Sequence, residues 1–219
     1  MKKFILLLTL LTLNFLGAQE PSWSFEESNY QFSMTIISRL NVDGRMLNSP
    51  NDKVAAFVNG EVRAVSSPSY VESLNDYFTY LTVFSNEQGD TITFKIYDST
   101  TDAVINTDTS LDFVVNKHIG TLFQSLSIAD PLLNDEANIL EFTFAGVPLN
   151  DLVIDGNNYT LYIPNVTNKE LLVPVFEISE GANMFINQEK QISASSVIDF
   201  TNPVVYQVLS QDQSDLSTY

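Results

Sequence analysis

The chain of 219 residues contains no cysteine, one histidine and one tryptophan. Without cysteine there can be no disulfide framework, no thiolate metal site, no thiol nucleophile and no acylated N-terminal cysteine of a lipoprotein. Cations are scarce too, with 10 Lys and Arg against 27 Asp and Glu, for a net charge of −17. Nucleic-acid affinity rests on neutralising phosphates with Lys and Arg, so a nucleic-acid partner is excluded, and anionic membrane surfaces are disfavoured for the same reason. No glycine-rich phosphate loop and no Gly-x-Ser-x-Gly elbow occurs. What the chain does have is a 44% hydrophobic content, enough to pack a core.

The one long apolar run stands at the start. Met1-Lys2-Lys3 is followed by a leucine-rich stretch from Phe4 to Leu16 and the small pair Gly17-Ala18. That order is a secretory signal peptide over residues 1–18. The run falls short of the roughly 20 residues that span a bilayer as a helix, so no transmembrane anchor is expected. The protein is read as exported, to the extracellular space or the outer cell surface.

From Glu20 onward apolar residues recur with period two, which alternates side chains between the faces of a strand. Tyr30 to Ile36 shows it, and Asn41-Val-Asp43-Gly44 then supplies a turn. The strongest hairpin is Val54–Val58, Asn59-Gly60, Glu61–Val65, because Asn-Gly accepts the positive φ of a tight turn. Further strands are expected over 79–85, 91–97, 110–115 and 121–128, with one turn of helix at most, within 69–77. A polar stretch after Asp130-Pro131 separates a second run of strands, over 139–144, 159–163, 171–179 and 204–209. The expected fold is all-β: two antiparallel β-sandwich, immunoglobulin-like domains at 19–130 and 137–219, joined by a linker at 131–136. After Leu209 a polar tip leads only to Leu216-Ser-Thr-Tyr219. The second domain is therefore expected to lack its closing strand, leaving a C-terminal edge open to strand addition by a partner.

The words Trp23, Tyr30-Gln-Phe-Ser-Met34, Asn51-Asp-Lys-Val-Ala-Ala-Phe-Val-Asn-Gly-Glu-Val-Arg63 and Gly89-Asp-Thr-Ile-Thr-Phe-Lys-Ile-Tyr-Asp98 resemble a β-sandwich module of secreted and cell-surface multidomain proteins of Gram-negative bacteria. Phe142-Thr-Phe144, Ile154-Asp-Gly156, Ile163-Pro164 and Asp199-Phe-Thr-Asn-Pro-Val-Val-Tyr206 resemble a bacterial immunoglobulin-like domain of uncharacterised function. These resemblances imply spacers, adhesive units or binding units and bring no catalytic residue.

Chemistry read directly from the residues agrees. His118 sits in Asn-Lys-His-Ile-Gly with no serine motif, and a turn or strand-edge histidine outweighs a catalytic one. Acid pairs such as Glu26-Glu27 are abundant by chance in so acidic a chain and read as solvated surface. Oxygen-bearing turns suit calcium, with Asp43 and Asp52 at one loop end, near Asn41 and Asn51, and Asp98 and Asp102 at another. Asp and Asn are equally ordinary turn residues. Beyond that ion no cofactor is expected. A carbohydrate site needs an exposed aromatic platform with polar neighbours, and Trp23, Tyr70, Tyr77 and Tyr80 are the candidates, Trp23, Tyr70 and Tyr77 foremost. In the competing assignment Trp23 plugs the sandwich, while Phe78, Tyr80 and Phe84 point inward. The expected function is a non-catalytic surface interaction or adhesion module whose partner is a protein or a glycan. The alternative is a carbohydrate-binding accessory module using the aromatic loop.

Overall fold

The computed structural model describes residues 20–219, so the signal-peptide assignment lies outside the described residues. The chain is all-β, and its apolar residues gather into two separate clusters. The first is built from ten strands: β1 (Phe32–Val42), β2 (Arg45–Met46), β3 (Lys53–Val58), β4 (Glu61–Ser66), β5 (Ser69–Val71), β6 (Asp76–Ser85), β7 (Thr91–Asp98), β8 (Ala103–Asp112), β9 (His118–Ile119) and β10 (Leu126–Asp130). One sheet runs β10-β1-β6-β5, with β2 and β9 also on β1, and the facing sheet runs β4-β3-β7-β8. Both β9 and β10 join β1 in parallel, while the remaining pairs of this unit are antiparallel.

Alternation explains why these sheets pack. Met34, Ile36, Leu40 and Val42 of β1 point inward, as do Leu81 and Val83 of β6, and they meet Val54, Ala56, Ile92, Phe94 and Ile96 of the opposite sheet. Each of these core side chains is almost wholly buried, and burying one contributes roughly 1.5–3 kcal/mol. Ser38 of β1, a hydroxyl on the inner face, is paired with Thr79 of β6. At the sandwich's sides β4 lies beside β6 and β8 beside β10, with no backbone ladder joining either pair and a cavity of about 680 Å³ bordered by β8 and β10. The Asn59-Gly60 hairpin forms as the sequence predicts, both residues having positive φ, 51° and 82°. Gly120 (φ 78°) follows β9 where the chain crosses the Ile37 carbonyl so closely that a Cβ would collide with its oxygen.

Several expected details change. The strand placed at 110–115 is Ala103–Asp112, an edge strand whose alternate residues are polar and which carries a bulge opposite Thr93–Lys95. The strand placed at 121–128 begins only at Leu126, because Thr121–Gln124 closes a turn instead. Tyr80 and Phe84 do not point inward: Thr79, Leu81, Val83 and Ser85 hold the core parity of β6, leaving Tyr80 exposed and Phe84 on the outer face against Phe25. Phe78 shares that outer parity yet is buried, with the Arg39 guanidinium 4.3 Å above its ring.

The second cluster is built from β11 (Ile139–Phe144), β12 (Asp151–Asp155), β13 (Asn158–Tyr162), β14 (Pro174–Ile178), β15 (Asn183–Ile186), β16 (Glu189–Gln191), β17 (Gln207–Leu209) and β18 (Leu216–Thr218). They form two pairs, β11-β14 and β12-β13, and a sheet β16-β15-β17-β18. The last residues do make a strand: β18 pairs with β17, and Tyr206 and Tyr219 exchange both backbone hydrogen bonds. The Tyr219 hydroxyl donates to the Ala137 carbonyl at 2.9 Å, fastening that strand to the start of the unit. This core is aromatic. Phe142 touches Phe144, Phe176 and Tyr206, and Phe144 touches Phe200 edge to face.

The polar tip 210–215 joins the two units. Gln213 Oε1 accepts from both the N–H and the hydroxyl of Ser125, Gln124 donates to the Ser214 carbonyl, and Phe123 meets Phe185 edge to face at 5.0 Å. On the other side Gln211 lies over Gly181 and accepts from the Asn134 N–H.

Candidate functional site: aromatic corner and aromatic cleft

The structure brings two of the residues singled out for an ion, Asp52 and Asp98, to one end of the sandwich, but not into an open ligand set. Asp52 and Asp98 flank the register pair Lys53 and Tyr97 at one end of the β3–β7 ladder and are both buried, but protein donors occupy their oxygens. Asp52 accepts from the N–H groups of Ser49 and Ser99 at 3.0 and 2.9 Å and from the Ser99 hydroxyl. Asp98 accepts from the Thr100 N–H, the Thr101 hydroxyl and the Arg45 guanidinium. Burial pushes its carboxyl up, but those hydrogen bonds and the Arg45 charge outweigh it and hold Asp98 below the usual carboxylate range. Asp43 is exposed, and Asp102, at positive φ, accepts from the Tyr97 hydroxyl at 2.8 Å. Among the described residues no group of three or more His, Cys, Asp or Glu is placed to hold a metal. These aspartates shape turns. His118 is exposed on β9, its Nδ1 2.8 Å from the Thr35 hydroxyl, with no carboxylate partner among the described residues.

The aromatic candidates divide. Trp23 is half-buried, edge-on to Phe57 of the β4-β3-β7-β8 sheet at 6.0 Å, in an N-terminal segment also held by a Glu20–Lys53 ion pair. It covers Phe57, whose ring also lies beside the Lys95 ammonium. Tyr70 and Tyr77 belong to the other sheet, where they are register partners of β5 and β6. Cross-strand partners share a face, and their rings stand 5.1 Å apart at 49° to one another, forming a corner. Tyr70 is 51% exposed and Tyr77 half-buried. The turn between them contains Glu72 and Asn75, both exposed; Asn75 has φ 51°, and its Oδ1 accepts from the Tyr70 hydroxyl at 2.7 Å. Behind Tyr77, Asp76 accepts from the Tyr77 N–H and pairs with Arg39 at 2.8 Å. Two aromatic faces are thus held in fixed orientation beside an amide and a carboxylate.

Sequence reasoning missed a second feature, in the aromatic unit. A cleft of about 880 Å³ lies between β13 and the segment 200–206, floored by Phe142 and Phe144. It is pinned at one end, where Asn157 donates to the Thr218 carbonyl at 2.9 Å and the Tyr159 ring meets Tyr219 at 5.7 Å. Tyr159 also donates to the Ile139 carbonyl. Among the described residues no hydrogen bond joins Leu161–Asn165 to Asn202–Val205, so the cleft gapes toward that end. Tyr206 lines it. The residue is only 4% exposed, its hydroxyl is enclosed with no hydrogen-bond partner among the described residues, and burial pushes the phenol pKa well up.

The cleft-bearing unit has a relative. A family model described as SGBP, N-terminal, matches residues 139–219, from the first strand of the aromatic cluster to Tyr219. The match accords with a β-module of the Gram-negative cell surface, the class to which the resemblances in the sequence point. No curated protein and no solved structure matches the chain.

Proposed function

We propose that this chain is a non-catalytic, surface glycan-binding accessory protein, with the Tyr70–Tyr77 corner as a sugar-contacting site. The carrying observation is that corner: two tyrosines, neither buried, fixed across a two-strand ladder with Asn75 and Glu72 in the turn beside them. A pyranose ring stacks its C–H face on an aromatic ring and presents hydroxyls at its edge to amides and carboxylates, the mixture found here. The SGBP match supports the reading from a different part of the chain, since that family's name denotes glycan binding at a surface. Attachment to the cell surface and export through the N-terminal segment belong to the same proposal. This reading prefers the carbohydrate-binding alternative to a general adhesion module with a protein partner.

A glycan array probed with the full chain tests it, beside a Tyr70→Ala, Tyr77→Ala double variant of unchanged melting temperature. Binding to neutral polysaccharide fragments that the double variant loses supports the proposal; binding unchanged in the variant, or absent on the whole array, contradicts it. Adding and removing calcium in the same experiment tests the ion assignment. The backbone and side-chain donors already satisfying Asp52 and Asp98 predict no calcium dependence.

A further inference from the structure

The cleft of the aromatic unit is bordered by a strand edge that nothing covers. β13 pairs with β12 alone, so its other edge carries no ladder, and every residue of β13 lines the cleft. Opposite it, residues 203–205 belong to no strand, and among the described residues their backbone groups have no hydrogen-bond partner. An unpaired edge presents a row of N–H and C=O groups that another extended chain can take up. Apolar surface accompanies that row. Phe142 and Phe144 form the floor, and Tyr162 and Val205, both more than half exposed, stand among the lining residues.

Charge selects the guest. Residues 137–219 carry ten Asp and Glu against two cations, Lys169 and Lys190, yet no acid lines the cleft and Lys169 does. Lys169 is exposed, and among the described residues no carboxylate lies within ion-pair distance of it. A basic segment would find no carboxylate in the cleft, and a second copy of this chain, at −17, would be repelled. A sugar covers rings, but only a backbone matches the alternating donors and acceptors along a strand edge.

We infer that the β13 edge of the cleft docks an extended segment of another protein by strand addition, with alternate apolar side chains on the aromatic floor and an acidic residue against Lys169. The sugar-contacting corner lies in the other unit, so the two sites can fail separately.

The probes are random twelve-residue peptides displayed on phage and selected on the full chain, the enriched sequences then being made synthetically. Enriched sequences are expected to alternate apolar and polar residues and to carry Asp or Glu. The bound peptide is expected to slow amide hydrogen exchange at alternate residues of β13. N-methylation of one alternate set of peptide amides should weaken binding about tenfold, and of the other set not at all, a pattern peculiar to strand pairing. Lys169→Glu, an exposed substitution expected to leave the melting temperature unchanged, should weaken it about fivefold. No enriched peptide, no protection at β13, or equal binding of the two methylated peptides overturns the inference. Binding unchanged in Lys169→Glu overturns the assignment of that cation. Shifts of the Tyr159 and Tyr219 ring signals with an oligosaccharide, or β13 protection in a dimer without peptide, would give the edge to another occupant and overturn it as well.

Discussion

The two units of this chain solve the same packing problem with different side chains, and they end in different states. The first fills its interior mainly with aliphatic residues alternating on long strands, and the cavity it leaves, beside β8 and β10, is bordered by the polar tip Asp212–Ser214. The second uses short strands and a chain of aromatic rings, and it leaves a cleft between β13 and residues 200–206. Rings bury much area per residue but demand specific edge-to-face geometry. The two closures of the second unit, Asn157 to Thr218 and Tyr159 to Tyr219, pin only one end of that cleft.

The largest effect expected from breaking this comparison is a truncation in the aliphatic unit. Phe94→Ala leaves a cavity in a sealed core and is expected to cost about 3–5 kcal/mol in urea unfolding. Phe144→Ala, whose ring already borders the cleft, is expected to cost clearly less, about 2 kcal/mol, because its site can relax into open space. Equal losses at the two positions would erase the distinction between a closed and an open core.

Next in size is Gly120→Ala. The positive φ and the Ile37 carbonyl both oppose a Cβ, so a loss of about 3 kcal/mol is expected, against about 1 kcal/mol for Gly89→Ala, where φ is also positive but the space is open. Thermal unfolding of the two variants gives the ranking.

A smaller effect belongs to the Asp98 network of the first unit. Because the folded-state carboxyl titrates below its ordinary value, its contribution is complete above pH about 4 and is lost as pH falls through the folded value. Asp98→Asn is expected to be destabilised by about 1–2 kcal/mol at pH 7, the figure discounted because Arg45 is half-exposed, and the gap to the parent should narrow by pH 3. A gap that stays constant from pH 7 to pH 3 would contradict this. The smallest effect is expected at the joint. Gln213→Ala removes two hydrogen bonds to Ser125 and should alter the melting of either unit by under about 1 kcal/mol, while broadening the distance distribution between spin labels placed one on each unit.

How much of this was legible in the sequence follows the same division. In the aliphatic unit the period-two runs and the Asn59-Gly60 turn carry the signal directly, since both act over neighbouring residues. The tyrosine pair was legible for the same reason, as Tyr70 and Tyr77 belong to one short hairpin. Parity failed at Tyr80 and Phe84, because hydrophobicity named the aromatic positions of β6 while the core took the smaller Leu81 and Val83. The β15–β16 hairpin escaped notice because its turn, Asn187-Gln188, takes positive φ at both residues without a glycine to announce it. The cleft could not be read at all: β11, β13, the segment before β17 and the final residues are far apart in sequence, and only the folded sheets bring them to one wall. Nor does a pattern of residue types reveal that the Tyr206 hydroxyl goes unpaired.

The most direct measurement is isothermal titration of the full chain with the oligosaccharide that reads strongest on the array, repeated with the Tyr70→Ala, Tyr77→Ala variant. The account predicts measurable heat with the parent chain and a loss of at least tenfold in affinity with the variant, at unchanged melting temperature. An affinity indistinguishable between the two proteins would contradict it.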